Sequence, residues 1–197
     1  MNITKTIDTR KLVLLALLTA IVVVLQFLGA FIRFGPFSVS LVLVPIVIGA
    51  ALVNIPAAGW LGLVFGVIVL ASGDANAFLA VNPFGTVVVV LLKGTLAGLA
   101  AGAVYKLLKN INRTVAAIAA AVVCPIVNTG IFAIGSYIFF IPTLTEWGAA
   151  AGFENVTAFI FLGMIGLNFV FEFGLNIILC PTIARLVQYG QDRRANA

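Results

Sequence analysis

Histidine is absent from this chain of 197 residues, and charged residues make up only 9% of it. The chain therefore lacks the commonest metal ligand and the commonest general base at neutral pH. Ser-His and Cys-His nucleophilic pairs are impossible, and no glycine-rich phosphate loop ending in Lys-Ser or Lys-Thr is present. We expect no enzyme activity, no metal site and no cofactor.

Cysteine is also scarce, since Cys124 and Cys180 are the only two. Each lies in an apolar run directly before a proline, which favours small interior residues over a disulfide or a metal site. The chain is 63% hydrophobic, against about 45–50% in soluble domains. Such a composition predicts a membrane protein, so the net charge of +5 belongs to membrane-flanking segments and does not indicate nucleic-acid binding.

Apolar segments separated by turn residues predict six transmembrane helices, because about 20 apolar residues cross a bilayer. The predicted fold is therefore an all-α integral membrane protein, a single transmembrane domain over residues 1–197. It has a short cytoplasmic N-terminal segment, 1–10, and a C-terminal tail, 188–197. The predicted spans are 12–32, 39–53, 57–71, 82–108, 115–140 and 157–187, and residues 142–155 form the longest outer connection.

The lysines and arginines predict the orientation of these spans. Nine of the eleven fall where alternate loops would all face the cytoplasm, namely Lys5, Arg10, Lys11, Lys106, Lys109, Arg113, Arg185, Arg193 and Arg194. Of the other two, Arg33 falls in the opposite set of loops and Lys93 lies inside a span. Because basic residues near span ends set orientation, we expect both termini in the cytoplasm.

Small residues at intervals of four indicate where helices approach closely. Gly62 and Gly66 form one such pair, and a longer run occupies positions 94, 98 and 102. Such residues let helix backbones come together in lipid, and we interpret these glycines as intramolecular packing positions. Ala16 and Ala20 form the same pattern among bulky leucines, which predicts a groove for another helix of this chain or of a partner.

Polar side chains at membrane depth are the candidates for chemistry. Lys93, Asn128, Asn168 and Glu172 lie about 16–22 Å inward from the outer ends of three predicted spans, at ~1.5 Å per residue. A charge at the bilayer centre costs about 2.5–3.5 kcal/mol even on the lenient insertion scale. These residues therefore face the protein interior, where they either form a buried ion pair bridged by asparagines or line a solute pocket that opens outward.

Residues at the outer ends of the spans complete the candidate site. Arg33, Asp74 and Asn76 fall in outer loops that either close over the pocket or belong to the exposed surface. Asn82 lies at the outer start of the fourth span. The predicted substrate-binding residues are thus Arg33, Asn76, Asn82, Lys93, Asn128, Asn168 and Glu172.

The chain resembles the substrate-binding S components of energy-coupling factor (ECF) transporters. The resemblance rests on the first-helix stretch 11–20 with its two alanines, on Val44-Pro-Ile-Val-Ile-Gly49 followed by Gly62-Leu-Val-Phe-Gly66, on Asn82-Pro-Phe-Gly85, and on the six-span layout. It extends over essentially the whole chain, although none of these motifs is specific by itself.

The resemblance implies a vitamin-binding subunit that captures its solute from outside with high affinity. It also implies a transmembrane coupling protein and two ABC-type ATPases as partners, with Ala16 and Ala20 forming the docking surface for the coupling protein. The alternatives are a self-sufficient secondary transporter, which often shows inverted repeats, and a scaffold subunit without a ligand.

The substrate follows from the chemistry of the predicted pocket. A lysine suits a carboxylate or phosphate, and asparagines suit hydroxyl or amide groups. Aromatic residues are sparse in the predicted cluster apart from Phe171 and Phe173. A small polar acid such as pantothenate therefore fits better than a flat, multi-ring vitamin, and the resemblance leans toward the pantothenate-like branch.

Overall fold

The computed structural model describes residues 9–29, 33–34, 37–38, 41–166, 169–174, 176, 178–179, 182, 185 and 189. Helices dominate the described chain, and their bounds are α1 Thr9–Gly29, α2 Leu43–Leu52, α3 Ile55–Ala71, α4 Asn76–Val81, α5 Pro83–Leu108, α6 Arg113–Phe139, α7 Ile141–Ala150 and the single turn α8 Val156–Ala158. A π-helix, Phe159–Gly166, follows α8. Two-residue strands β1, Arg33–Phe34, and β2, Phe37–Ser38, pair antiparallel between α1 and α2.

Asparagine caps begin four of these helices. The side chain of Asn54 accepts a hydrogen bond from the Ala57 amide at 2.8 Å, and Asn82 accepts one from Gly85 at 2.9 Å. Asn112 and Asn155 cap α6 and α8 in the same way. These bonds satisfy amides that would otherwise lack partners in the first helical turn. Proline follows the cap of α3 and of α5, where its missing amide costs nothing.

Three helices form the centre of the bundle, because α5 packs along both α3 and α6. Glycines permit this approach between α3 and α5. A Cβ atom added to Gly62 would overlap the backbone carbonyl of Gly94, and one added to Gly98 would overlap the carbonyl of Ala58. The prediction that these glycines are packing positions is therefore confirmed. Helix α1 packs on the outside of this centre, against α2 and α3.

The helix lengths match some predicted spans and differ from others. In the described residues, α1, α5, α6 and the segment Val156–Gly174 are each long and apolar enough to cross a membrane. The third predicted span, 57–71, agrees within two residues with α3, which has 17 residues. The second predicted span, 39–53, corresponds to α2, which has only 10 residues. At 1.5 Å per residue α2 is only about 15 Å long. The count of six membrane crossings remains a prediction.

Three local features differ from the sequence-based expectation. Residues 142–155 are not simply an outer connection, because α7 occupies most of them, starting with Pro142 in its first turn. The all-α prediction omits the small β-ladder between α1 and α2. The sixth segment contains a π-helix directly after α8, with i→i+5 hydrogen bonds in place of the i→i+4 bonds of an α-helix.

Candidate functional site

A cavity of about 80 Å³ lies in the half of the bundle that contains the end of α1 and the start of α5. This volume is enough for several water molecules or a small solute group. Its polar lining comes from Gln26, Asp74, Thr86, Lys93, Asn128, Thr129 and Glu172. Its apolar lining comes from Val69, Ala75, Phe78, Val89, Val90, Phe132, Phe140, Met164, Ile165 and Phe169.

One wall of the cavity joins α1 to the turn after α3. The Gln26 amide donates a hydrogen bond of 2.6 Å from Nε2 to Oδ2 of Asp74. Gly73, directly before this aspartate, has a φ of +83°, a conformation that glycine adopts without steric cost. The glycine turn thus positions a carboxylate against an otherwise apolar span.

Lys93 projects from α5 into the cavity between two aromatic rings. Its Nζ atom lies 5.2 Å from the centroid of Phe132 and 5.6 Å from that of Phe65. Both distances are within the range of cation–π attraction. Asp74 and Glu172 line the same cavity, so the ammonium shares this space with two carboxyl groups. The aromatic rings and the carboxyl groups together offset the cost of placing a cation inside the bundle.

A cluster of aromatic rings closes another side of the cavity. The ring of Phe78, on α4, packs edge-on against Phe140 at 5.0 Å and against Phe132 and Trp147 at 5.7 Å. Such T-shaped contacts are the favoured geometry for aromatic pairs. Phe169 also lines the cavity. The expectation that aromatic residues are sparse around the site is therefore wrong.

Several buried polar oxygens at or near the cavity have unused hydrogen-bonding capacity. Asn128 is 4% exposed and Gln26 1% exposed, and the amide oxygen of each lacks a hydrogen-bond partner among the described residues. Asn176 donates from Nδ2 to the Glu172 carbonyl at 2.9 Å, and its own amide oxygen is likewise unpaired in the described structure. An unmet buried acceptor costs about 1–3 kcal/mol, so these atoms favour a ligand or water that supplies donors.

The structure brings three of the predicted site residues to one cavity, namely Lys93, Asn128 and Glu172. Asn82 instead caps α5 through its side chain and does not line the cavity. Asn76 begins α4 and is exposed. Arg33 has its backbone in β1, and Asn168 lies outside the described residues.

Sequence reasoning left the aromatic residues of the cavity lining and four of its polar residues out of the predicted site; the polar ones are Gln26, Asp74, Thr86 and Thr129. Gln26 carried a usable signal, because it and Thr19 are the only polar side chains in the first predicted span. Asp74 was predicted only as an outer-loop residue that closes over the pocket or lies on the surface, and its contact with Gln26 joins positions 48 apart in the sequence. Nothing in the sequence distinguishes Phe78, Phe132 and Phe140 from the rest of the 16 phenylalanines.

The predicted docking residues do not line the cavity. Ala16 and Ala20 are exposed on α1, on a face that also exposes Val13, Leu17 and Val24 by 56% or more. Helix α1 uses other residues, including Leu18 and Val22, to pack against the bundle. The alanine positions are thus accessible to another helix.

Comparison with known proteins identifies the family of this chain. The family model described as "ECF transporter, substrate-specific component" matches residues 10–184, which is most of the sequence. No curated protein and no solved structure matches the chain. Substrate-specific components of this family are substrate-binding transporter subunits and not catalysts, which agrees with an apolar helical bundle that contains a polar cavity. The chain belongs to the family of ECF transporter substrate-specific components.

Proposed function

We propose that this protein captures a vitamin-type micronutrient from outside the cell, in the cavity around Lys93, Asn128 and Glu172. The observation that carries this proposal is the convergence of polar side chains from α1, the turn after α3, α5, α6 and the sixth segment on one cavity. Polar groups are costly inside a membrane protein and mark functional paths. A bundle that only scaffolds other subunits would not need them.

The proposed orientation places this cavity in the outer half of the membrane. The cavity lies near the end of α1 and the start of α5, whereas Lys11, Lys106 and Lys109 lie at the opposite ends of those two helices. Basic span ends face the cytoplasm. Both termini would then be cytoplasmic in the plasma membrane of a bacterium, with six crossings.

The lining supports two classes of micronutrient. Lys93 suits a carboxylate, and the unpaired oxygen of Asn128 suits a hydroxyl or amide donor, which fits a small polar acid such as pantothenate. Phe78, Phe132 and Phe140 supply ring faces and edges, which favour a flat, ring-containing vitamin. Asp74 and Glu172 would accept donors from either class.

Transport would depend on partners that bind elsewhere. The exposed alanines Ala16 and Ala20 leave a shallow groove on α1, and small residues let a second helix approach closely. We assign this groove to the transmembrane coupling protein, which would link the chain to two ABC-type ATPases.

The deciding experiment is mass spectrometry of the small molecule that co-purifies with the detergent-extracted protein. We expect a vitamin or vitamin precursor in a near 1:1 ratio, and a strongly reduced amount in the variant Asn128→Leu. Asn112→Leu is the matched control, because Asn112 caps α6 at the other end of the bundle. A folded protein that carries and binds no vitamin would favour the scaffold, and uptake without any ATPase would favour a secondary transporter.

A further inference from the structure

A basic groove lies at the end of the bundle opposite the cavity. Its volume is about 440 Å³, and the start of α1, the connection from α2 to α3 and the end of α5 form it. Its lining comprises Lys11, Ala50, Ala51, Val53, Asn54, Ile55, Pro56, Gly102, Tyr105, Lys106 and Lys109. The proposed micronutrient site uses none of these residues.

Three lysines give this groove the chemistry of an anion site. Lys106 and Lys109 are spaced i, i+3 at the end of α5, which places them on one helical face. Lys11, from α1, and Tyr105, from α5, also line the groove. The described lining includes no carboxylate. Three ammonium groups around one groove are suited to a phosphate group.

The surroundings of the lysines indicate an anion that is attached to an apolar body. The groove lining also includes apolar residues, among them Ala50, Val53 and Ile55. Next to the lysines in the sequence, Leu12 is 56% exposed and Leu107 is 75% exposed. Exposed large aliphatic residues at the end of a membrane span contact lipid chains. A soluble phosphate would use the lysines and leave this apolar surface without a role.

We propose that this groove binds the phosphodiester headgroup of an anionic phospholipid of the inner leaflet, with its acyl chains along Leu12 and Leu107. Basic pockets between transmembrane helices on the cytoplasmic side have this specificity. The assignment to the inner leaflet rests on the orientation proposed above. The lipid site itself is inferred from the groove and its lysines. It is independent of the nature of the micronutrient.

Native mass spectrometry of the full chain in detergent tests this site. The protein is titrated with dioleoyl phosphatidylglycerol or with dioleoyl phosphatidylcholine, and bound lipid is counted for each. We expect one phosphatidylglycerol to bind in preference to phosphatidylcholine. The double variant Lys106→Gln/Lys109→Gln should weaken its binding about thirty-fold, since each lysine near an anionic headgroup contributes about five-fold in affinity.

Arg113→Gln is the matched control, because Arg113 is exposed at the start of α6 and does not line the groove. It should leave the affinity for phosphatidylglycerol within two-fold of the wild type. An equal loss in the control and the double variant would show diffuse charge attraction and overturn the site. An affinity for inorganic phosphate equal to that for phosphatidylglycerol would overturn the lipid assignment.

The same variants separate this inference from the proposed transport function. The double lysine variant should keep its co-purifying solute, because the cavity around Lys93 lies at the other end of α5. Loss of both lipid and solute, with a lowered unfolding temperature, would show a folding defect. The single variant Lys11→Gln, on another helix, should then still weaken phosphatidylglycerol binding about five-fold, and wild-type affinity in it would overturn the site.

Discussion

Lys93 is the most consequential single residue of the described bundle. Its ammonium lies between two phenylalanine rings and lines a cavity together with Asp74 and Glu172. This arrangement is consistent with both interpretations of the sequence, a structural pairing of charges and a solute-binding amine. The two differ in what the loss of the charge does to solute binding.

Replacing Lys93 by methionine distinguishes these interpretations, because methionine keeps most of the apolar stem and removes the charge. If the ammonium binds the solute, we expect a loss of about 1–3 kcal/mol in binding, typical of a hydrogen bond to a charged group. Calorimetry with the identified solute measures this loss. Lys106→Met, on the same helix at its other end, is the control; equal affinity in the two variants would assign Lys93 a structural role.

The candidate site was partly predictable from the sequence. Three residues, Lys93, Asn128 and Glu172, were identifiable because a polar side chain inside an apolar span must face the protein interior or a water-filled cavity. The Gln26–Asp74 contact could not be predicted, because it depends on how α1 lies against the turn at Gly73. The pattern of residues within one span does not predict how that span packs against the others.

At the scale of elements, the contact between α3 and α5 limits what the bundle tolerates. Gly94→Ala should destabilise the fold by about 1–3 kcal/mol, because the added methyl group overlaps the backbone of Gly62 and overpacking has costs of this size. Gly130→Ala is the control, since a Cβ atom there meets nothing within 4 Å. It should raise stability by up to about 1 kcal/mol through helix propensity.

Thermal unfolding of the detergent-solubilised variants measures both effects. A Gly94→Ala protein as stable as the Gly130→Ala protein would contradict the close helix contact. Any loss of solute binding in Gly94→Ala should follow from the smaller amount of folded protein.

The positions of the long helices were predictable from apolar runs and turn residues. The predicted spans 82–108 and 115–140 agree within two residues with α5 and α6. The helix in the predicted outer connection and the π-helix were not predicted. A run such as Phe159–Gly166 is apolar whether its amides bond to the fourth or the fifth preceding residue, so hydropathy cannot distinguish the two.

Helix α1 carries the prediction about assembly. Ala16→Trp should abolish association with the coupling protein and its ATPases while solute binding is retained, because the exposed alanine contributes little to the bundle but leaves room for a partner helix. Leu28→Trp is the control, as Leu28 is 53% exposed at the other end of α1. Co-purification of the assembled complex is the measurement, and unchanged assembly in Ala16→Trp would refute the docking role.

At the scale of the whole molecule, the two ends of the bundle have different chemistry. One end holds a cavity with two carboxyl groups, amides and a single described ammonium. The other end presents Lys11, Lys106 and Lys109 around a groove. Because basic residues are retained on the cytoplasmic side during insertion, we expect this asymmetry to orient the chain with the polar cavity toward the outside.

Cysteine labelling in intact cells tests this orientation directly. In a background where the native cysteines are replaced by alanine, Glu146→Cys in α7 should react with a membrane-impermeant maleimide, because the proposed orientation puts α7 outside the cell. Lys109→Cys should react only after the cells are permeabilised, because the same orientation puts it in the cytoplasm. Both native side chains are exposed, so burial does not limit either reaction. The reverse labelling pattern would place the cavity on the cytoplasmic side, where it could not capture a nutrient from outside.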